Sequence, residues 1–480
     1  MRKVGLFFLI TLIKWFSFSE LPAQSPKVPN IILIMSDDQG WGDLGNRHEH
    51  LQTPNLDEMT RNGLEFTRFY AAAPVCSPTR GSMLTGRHPY RYGIFYANSG
   101  HLPPSEVTLP EVLKENGYLT GHFGKWHLGI MDKYVIEGNR GGKAENQKHF
   151  SPPWTNGYDV CFATESKVPT WDPMINPPQE VSGSNKKQKD GDSFGVYYWE
   201  GDGKIATSNL DGDDSRVIMD RVLPFIEKAE QNNQPFFTTI WFHTPHSPVV
   251  AGEKYRKMYA EYSLDHQHYY GSITAMDEQI GRLRTKLREL EIHENTLIWF
   301  CSDNGPAARG GGPGLENGGR QQGSNGGLRG MKGTLYEGGI RVPGIIEWPE
   351  IITKPVQTDF PSVTSDILPT ILELLNLELP KGVDLDGRSI GSILKGEKIT
   401  KRNSPIGFQS RFRGNEFKVW MEDNLKLVHI VKEDSWELYD LEKDPFEKNP
   451  IQQQFPDQTE KMKAALLQWI DQTNTLNQKN

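Results

Sequence analysis

Cysteine is scarce in this chain: Cys76, Cys161 and Cys301 are the only three in 480 residues. A disulfide-stapled scaffold of that size would need many more, so the fold must rest on a packed core. Positive charge is also short, with 53 Lys and Arg against 61 Asp and Glu and a net charge of −8. That balance excludes a basic nucleic-acid binder, and no nucleic-acid partner is expected. Past the first two dozen residues no apolar run approaches the roughly 20 residues a bilayer-spanning helix requires, so no stable membrane insertion is expected. With 36% hydrophobic and 24% charged residues, disorder is excluded too.

What is present begins with an export signal over residues 1–23. Arg2 and Lys3 form the charged start, Val4 to Ile13 the apolar stretch, and Leu21-Pro22-Ala23 the small-residue exit. An uncleaved anchor is the alternative, since Trp15, Phe16 and Phe18 extend the apolar run. The expected location is periplasmic or secreted, in a bacterium. The continuous apolar runs Ile31 to Met35, Phe236 to Phe242 and Leu297 to Cys301 predict strands buried on both faces of a parallel sheet. Between the last two, Ile273, Met276, Ile280, Leu283, Leu287 and Leu290 describe one face of a long helix. Further helices are predicted at Asn55 to Arg61, Glu111 to Asn116, Arg216 to Glu230 and Asp366 to Leu375. The order implies an α/β fold with a largely parallel sheet flanked by helices. We expect a catalytic domain over residues 28–400. The short alternating segments after residue 400, with an amphipathic stretch from Met462 to Ile470, predict a small antiparallel sheet and closing helix over 401–480.

All three apolar runs end in reactive groups, where ligands bind in open α/β sheets. The first leads to Asp37 and Asp38, the second to His243 and His246, the third to Asp303 and Asn304. Paired carboxylates and an amide supply oxygen ligands, the preference of a hard cation. Each Asp alone would merely cap a turn; three strand ends in agreement favour a site. Cys76 precedes Ser77-Pro78-Thr79-Arg80 in a shaped turn into a helix, where a buried thiol and an activated cysteine nucleophile are both open readings. Lys125 and His127, two apart in Gly117 to Gly129, project to one side of an extended segment and could hold an anion and move a proton. A phosphate-binding loop is rejected there, because Trp126 stands where Ser or Thr is required. Lys332 lies near the end of a loop segment, 305–333, holding twelve glycines.

Together, Cys76-Ser77-Pro78-Thr79-Arg80 and Gly117 to Gly129, with the segments at Asp37, His246, Asp303 and Lys332 in matching order, resemble the formylglycine-dependent sulfatases of the alkaline-phosphatase-like superfamily. The likeness runs from about residue 28 to about 450, and one departure is Thr79, where the family often has Ser. The resemblance implies that a maturing enzyme, formylglycine-generating or anaerobic, oxidises Cys76 to formylglycine. It implies calcium, with magnesium as the alternative, held by Asp37, Asp38, Asp303, Asn304 and the modified Cys76. Arg80 would steady the hydrated aldehyde, Lys125 and Lys332 neutralise the sulfuryl oxygens, His246 protonate the leaving alcohol and His127 take a proton from the second hydroxyl. The family pattern Pro-His-x-Pro, matched by Pro245 to Pro248, selects His246 over His243. Arg341 and Glu337 are assigned a bracing role, and His48-Glu49-His50 a polar loop.

Residues 134–215 read as an insertion around the site's mouth. It is rich in aromatics (Trp154, Tyr158, Trp171, Tyr197, Tyr198, Trp199) and lysines (Lys143, Lys148, Lys167, Lys186, Lys187, Lys189). Flat rings pack on sugars and cations attract sulfate, although any one of these aromatics could simply pack the insertion. The stretch Glu165 to Met174 is similar to a segment of bacterial carbohydrate sulfatases. The expected substrate is therefore a sulfated galactose or N-acetylgalactosamine unit of a polysaccharide, with the 4-O position favoured and Trp171 and Arg329 as substrate contacts. Two rivals stand beside it: a phosphonate or phosphodiester hydrolase using the same nucleophile, and a catalytically silent binder of sulfated glycans.

Overall fold

A computed structural model describes residues 28–177, 191–201, 203–307, 323–379 and 382–475. The export signal and Lys186, Lys187 and Lys189 lie outside the described residues. The fold is built on a ten-stranded sheet. Its five middle strands, in spatial order Thr296–Ser302, Asn30–Ser36, Phe236–Trp241, Leu119–Lys125 and Val160–Thr164, are all parallel. The three apolar runs thus form neighbouring strands, as expected. Their alternate residues feed opposite faces: Ile31, Leu33 and Met35 enter one hydrophobic cluster, Ile32 and Ile34 the other. Both clusters are roofed by helices, which is why these strands carry no polar alternation.

The register sets what lies side by side at the carboxyl ends. Ser36 pairs with Ser302, Met35 with Trp241, and Lys125 with Thr164, so the chain leaving each strand delivers its side chains into one crevice. The fifth strand, Val160–Thr164, corrects the sequence reading: what looked like an insertion supplies three strands of the main sheet, the other two being Tyr198–Glu200 and Lys204–Ile205 at its edge. Tyr158, Tyr198 and Trp199 are buried accordingly and pack rather than line the mouth.

The long helix runs Leu264–Glu289, starting nine residues before the first apolar position of its stripe, with Ser263 capping the His266 N–H. The four other predicted helices form as Pro54–Asn62, Leu109–Glu115, Asp214–Gln231 and Ile367–Leu374. Beyond residue 400, the strands Ile406–Phe412, Asn415–Glu422, Leu425–Ile430 and Ser435–Asp440 make an antiparallel sheet covered by the helix Pro456–Thr475. The first of these strands is not predicted from the sequence. This layer is not separate from the rest: Phe408, Val419 and Tyr439 share a hydrophobic cluster with Tyr70, Leu335 and Ile340. Buried Lys426 also bonds Glu337 Oε1 at 2.8 Å. Glu337 does brace its loop, but against the C-terminal sheet as well as against Arg341 at 3.6 Å. No helix among the described residues is long and apolar enough to cross a membrane.

Candidate active site

Cys76 is the first residue of the helix Cys76–Thr85, and the turn into that helix is tied by Thr79, whose hydroxyl donates to Ala73 O at 2.9 Å and accepts from Ala73 N at 3.3 Å. The hydroxyl kept at this position is thus spent on the approach to Cys76. The Sγ atom lies 3.6 Å from Asp37 Oδ1 and 3.5 Å from Lys332 Nζ. Burial pushes the thiol up to about 12, against the pull of Lys125 and Lys332. It is therefore protonated near neutrality, and the activated-thiolate reading loses its nucleophile.

Around it three carboxylates meet three cations. Lys125 Nζ donates to Asp37 Oδ2 at 2.6 Å, Arg80 Nη2 to Asp303 Oδ2 at 2.6 Å, and Lys332 Nζ to Asp38 Oδ1. Gly124, the last residue but one of the strand that carries Lys125, has φ +105°, and an added Cβ there would lie 2.0 Å from Trp241 O. Asp37 is fully buried; against its desolvation, Lys125 first and then Arg80 and Lys332 hold its carboxyl well below the usual range. Asp303 behaves oppositely: burial, and then the charge of Asp37, raise it to about 7 despite Arg80.

Ligand atoms of Asp37, Asp38, Cys76 and His246 all lie within 4.8 Å of one another. Asn304 donates to Asp38 Oδ1 at 2.7 Å, while its own Oδ1 is buried without a partner. An orphaned amide oxygen beside paired carboxylates fits a hard divalent cation. Asp303 stands slightly apart from that cluster, because Oδ2 faces Arg80 and Oδ1 accepts the Asp38 N–H at 3.1 Å. His246 Nε2 lies 3.6 Å from Asp38 Oδ2. Burial lowers its pKa to about 3 although Asp37 and Asp38 pull the other way, leaving a neutral ring. His243 is differently placed: Asp214 Oδ2 and Thr164 Oγ1, each at 2.8 Å, occupy both ring nitrogens.

His127 is held in the left-handed region at φ +59°. Its Nε2 donates to Asn98 Oδ1 at 2.8 Å, which leaves Nδ1 as the lone-pair nitrogen, buried and unpartnered. Burial, with Lys125, Arg140 and Arg80 facing it, keeps the ring neutral. Arg140, which the sequence reading did not single out, fixes this histidine from two sides. It donates to Gly100 O at 2.7 Å in the Asn98 loop and to Glu165 Oε1 at 3.0 Å, while Glu165 O accepts the His127 N–H.

The two expected substrate contacts lie farther out. Trp171 is half-buried against Gly252, whose missing Cβ makes room for the ring. Arg329 stacks over Tyr336 at 3.8 Å and donates to Tyr439 Oη at 2.6 Å and Glu447 O at 3.1 Å, a cross-brace to the C-terminal sheet. His48 packs edge-on against Tyr270 at 5.2 Å.

A family model described as Sulfatase matches residues 29–377. The chain belongs to the sulfatase family. A second model, the C-terminal part of N-sulphoglucosamine sulphohydrolase, matches residues 331–475. The sulfatase is 31% identical over 430 residues to N-acetylgalactosamine-6-sulfatase of Sus scrofa, spanning 86% of this chain and 74% of that one. It is 32% identical over 421 residues to steryl-sulfatase of Rattus norvegicus, covering 77% and 70%. Among solved structures, Ps i-CgsB in complex with k-i-k-neocarrahexaose superposes with a TM-score of 0.76 at 25% identity over 92% of both chains. The sulfatase is accordingly a sulfuric ester hydrolase with the alkaline-phosphatase-like fold expected from its sequence.

Proposed function

We propose that this sulfatase hydrolyses a sulfate monoester on a galactose or N-acetylgalactosamine unit of a polysaccharide, using Cys76 after its conversion to formylglycine by a maturing enzyme. The observation that carries the reading is the placement of Cys76 Sγ between Asp37 Oδ1 and Lys332 Nζ, inside the cluster with Asp38 and His246. A protonated buried thiol is a poor nucleophile; the same position bearing oxygen would complete an oxygen-rich cation site. The formylglycine hydrate would supply the attacking hydroxyl, and a calcium ion, or magnesium in its stead, held by Asp37, Asp38, Asp303, Asn304 and residue 76, would acidify it and draw charge from the sulfate.

The chain's own residues then divide the work. Arg80, locked against Asp303, steadies residue 76. Lys125 and Lys332 are close enough to trade their carboxylate partners for sulfuryl oxygens as the S–O bond lengthens. His246 delivers the proton that a sugar alkoxide needs in order to leave; neutral in the resting site, it would first accept the proton given up by the attacking hydroxyl at residue 76 and pass it to the leaving oxygen. His127, neutral and with Nδ1 free, takes the proton that lets sulfate depart. Kinship with N-acetylgalactosamine-6-sulfatase supports a galacto-configured sugar, and Trp171 offers it a ring face. Export by residues 1–23 to the periplasm or beyond would place the enzyme where polysaccharide fragments arrive.

The test is sulfate release from 4-O- and 6-O-sulfated galactose, N-acetylgalactosamine and glucosamine oligosaccharides, with Cys76→Ala as control. Release confined to galacto-configured members is expected. Equal cleavage of glucosamine sulfates would overturn the substrate assignment, and faster turnover of an aryl phosphate diester than of an aryl sulfate would overturn the reaction.

A further inference from the structure

Each of the three site carboxylates already has its own cation: Asp37 has Lys125, Asp38 has Lys332 and Asp303 has Arg80. One more lysine stands in the same field. Lys167 follows the fifth parallel strand, Val160–Thr164, whose Thr164 is in register with Lys125. The residues on either side of it are fixed: Glu165 by Arg140 and the His127 N–H, Ser166 O by the Thr164 hydroxyl at 2.7 Å, and Val168 by complete burial. Lys167 itself is half-buried, and among the described residues its ammonium makes no hydrogen bond or ion pair. The charges that bear on it are those of the site, Lys125 and Lys332 opposing it and Asp38 and Asp37 favouring it.

An unpaired lysine half out of water is costly unless an anion meets it. The sulfuryl group being cleaved already has Lys125 and Lys332, so a further cation beside them is surplus to a singly charged ester. Trp171, four residues on and packed against Gly252, keeps a ring on the same stretch, so one short segment offers both a sugar-packing face and a charge.

We propose that Lys167 binds a second anionic group of the substrate, a neighbouring sulfate or a uronate carboxylate, so that the preferred sugar carries at least two negative charges. This inference rests on the sulfatase assignment above and deepens it to substrate class. Burial and the like charges of Lys125 and Lys332 lower the lysine's pKa, and an anion at this position would relieve both.

The experiment compares kcat/KM of the matured enzyme for N-acetylgalactosamine carrying 4- and 6-sulfates together with that for each monosulfate, in the wild type, Lys167→Met and Lys167→Arg. The wild type should favour the disulfate over the better monosulfate by about tenfold or more, Lys167→Met should bring that ratio near one, and Lys167→Arg should restore most of it. A wild-type ratio near or below one for this disulfate and for a uronate-bearing disaccharide, or a ratio unchanged in Lys167→Met, would overturn the proposal. Should Lys167→Met fail to fold, Lys167→Gln and the wild-type ratio decide the matter in the same way. Turnover of an aryl sulfate without release from any of these sugars would also overturn it, whereas no turnover of aryl sulfate either would instead indict the reading beneath it.

Discussion

Arg80 and Asp303 are joined through two nitrogens and one oxygen: Nη2 and Nε of the arginine lie 2.6 and 3.2 Å from Oδ2 of the aspartate, both side chains wholly buried. The pair fastens the helix carrying Cys76 to the strand end carrying Asn304. Replacing Arg80 by Met removes the cation that opposes the burial and Asp37 charge already raising Asp303 to about 7, so the aspartate takes up a proton and is left buried without its partner. A loss of about 1–3 kcal/mol in unfolding free energy is expected, measured by urea denaturation of the unconverted protein. A loss below about 1 kcal/mol, within the range of an exposed pair, would contradict the assignment.

The thiol of unconverted Cys76 is buried and its pKa is pushed up to about 12. Iodoacetamide at pH 7.5 should therefore label Cys76 far more slowly than a free cysteine does, by about tenfold or more. Rapid labelling, checked by peptide mass mapping, would revive the cysteine-nucleophile reading.

Removing divalent cations with a chelator is expected to abolish turnover and to lower Tm. Re-adding calcium at about 100 times its Kd should return about 2.7 kcal/mol of stability. Asn304→Leu should weaken that rescue, since it removes the orphaned amide oxygen. Full activity in chelator would exclude the cation.

Arg140 is predicted to act through His127 rather than on the ester. In Arg140→Met one of the cations that depress the His127 pKa is gone, so that pKa rises. A general base must be unprotonated, so the acidic limb of the kcat profile should move to higher pH, with KM much less affected. A uniform fall in kcat with no displacement of the limb would mark Arg140 as structural only.

His88, distant from the metal cluster, supplies a stability test. Burial lowers its pKa to about 3, and its Nδ1 accepts the Tyr90 N–H at 3.3 Å. The unfolded chain takes up this proton near pH 6.5, the folded chain only near 3. Stability should thus fall as pH drops from about 6.5 towards 3, and the slope of unfolding free energy against pH should be shallower in His88→Gln. An unchanged slope would show that His88 is not buried neutral.

Much of this was legible in the chain because double-sided burial leaves a strong mark. Ile31 to Met35 could hardly be anything but a central strand, and Asp37 and Asp303 were placed by following such strands to their ends. Val160–Thr164 was not read, because Asp159 and Glu165 bracket a run of five that resembles a loop with a few apolar residues. Ile406–Phe412 was missed for a related reason: Gly407, Gln409 and Ser410 break up its apolar pattern. Asn98 reaches His127 across a loop, from a backbone at φ +61°, and Arg140 braces the histidine indirectly through Gly100 and Glu165; no spacing rule encodes such contacts. Lys167 was visible only as one of six lysines; its lack of a partner is a property of the folded site.

The central claim is most directly tested by the mass of the tryptic peptide Phe69 to Arg80 from protein that releases sulfate. The account predicts that the Cys76 side chain has become an aldehyde, trapped by a hydrazide, with activity rising in proportion to the converted fraction. An intact thiol throughout a fully active preparation would contradict it.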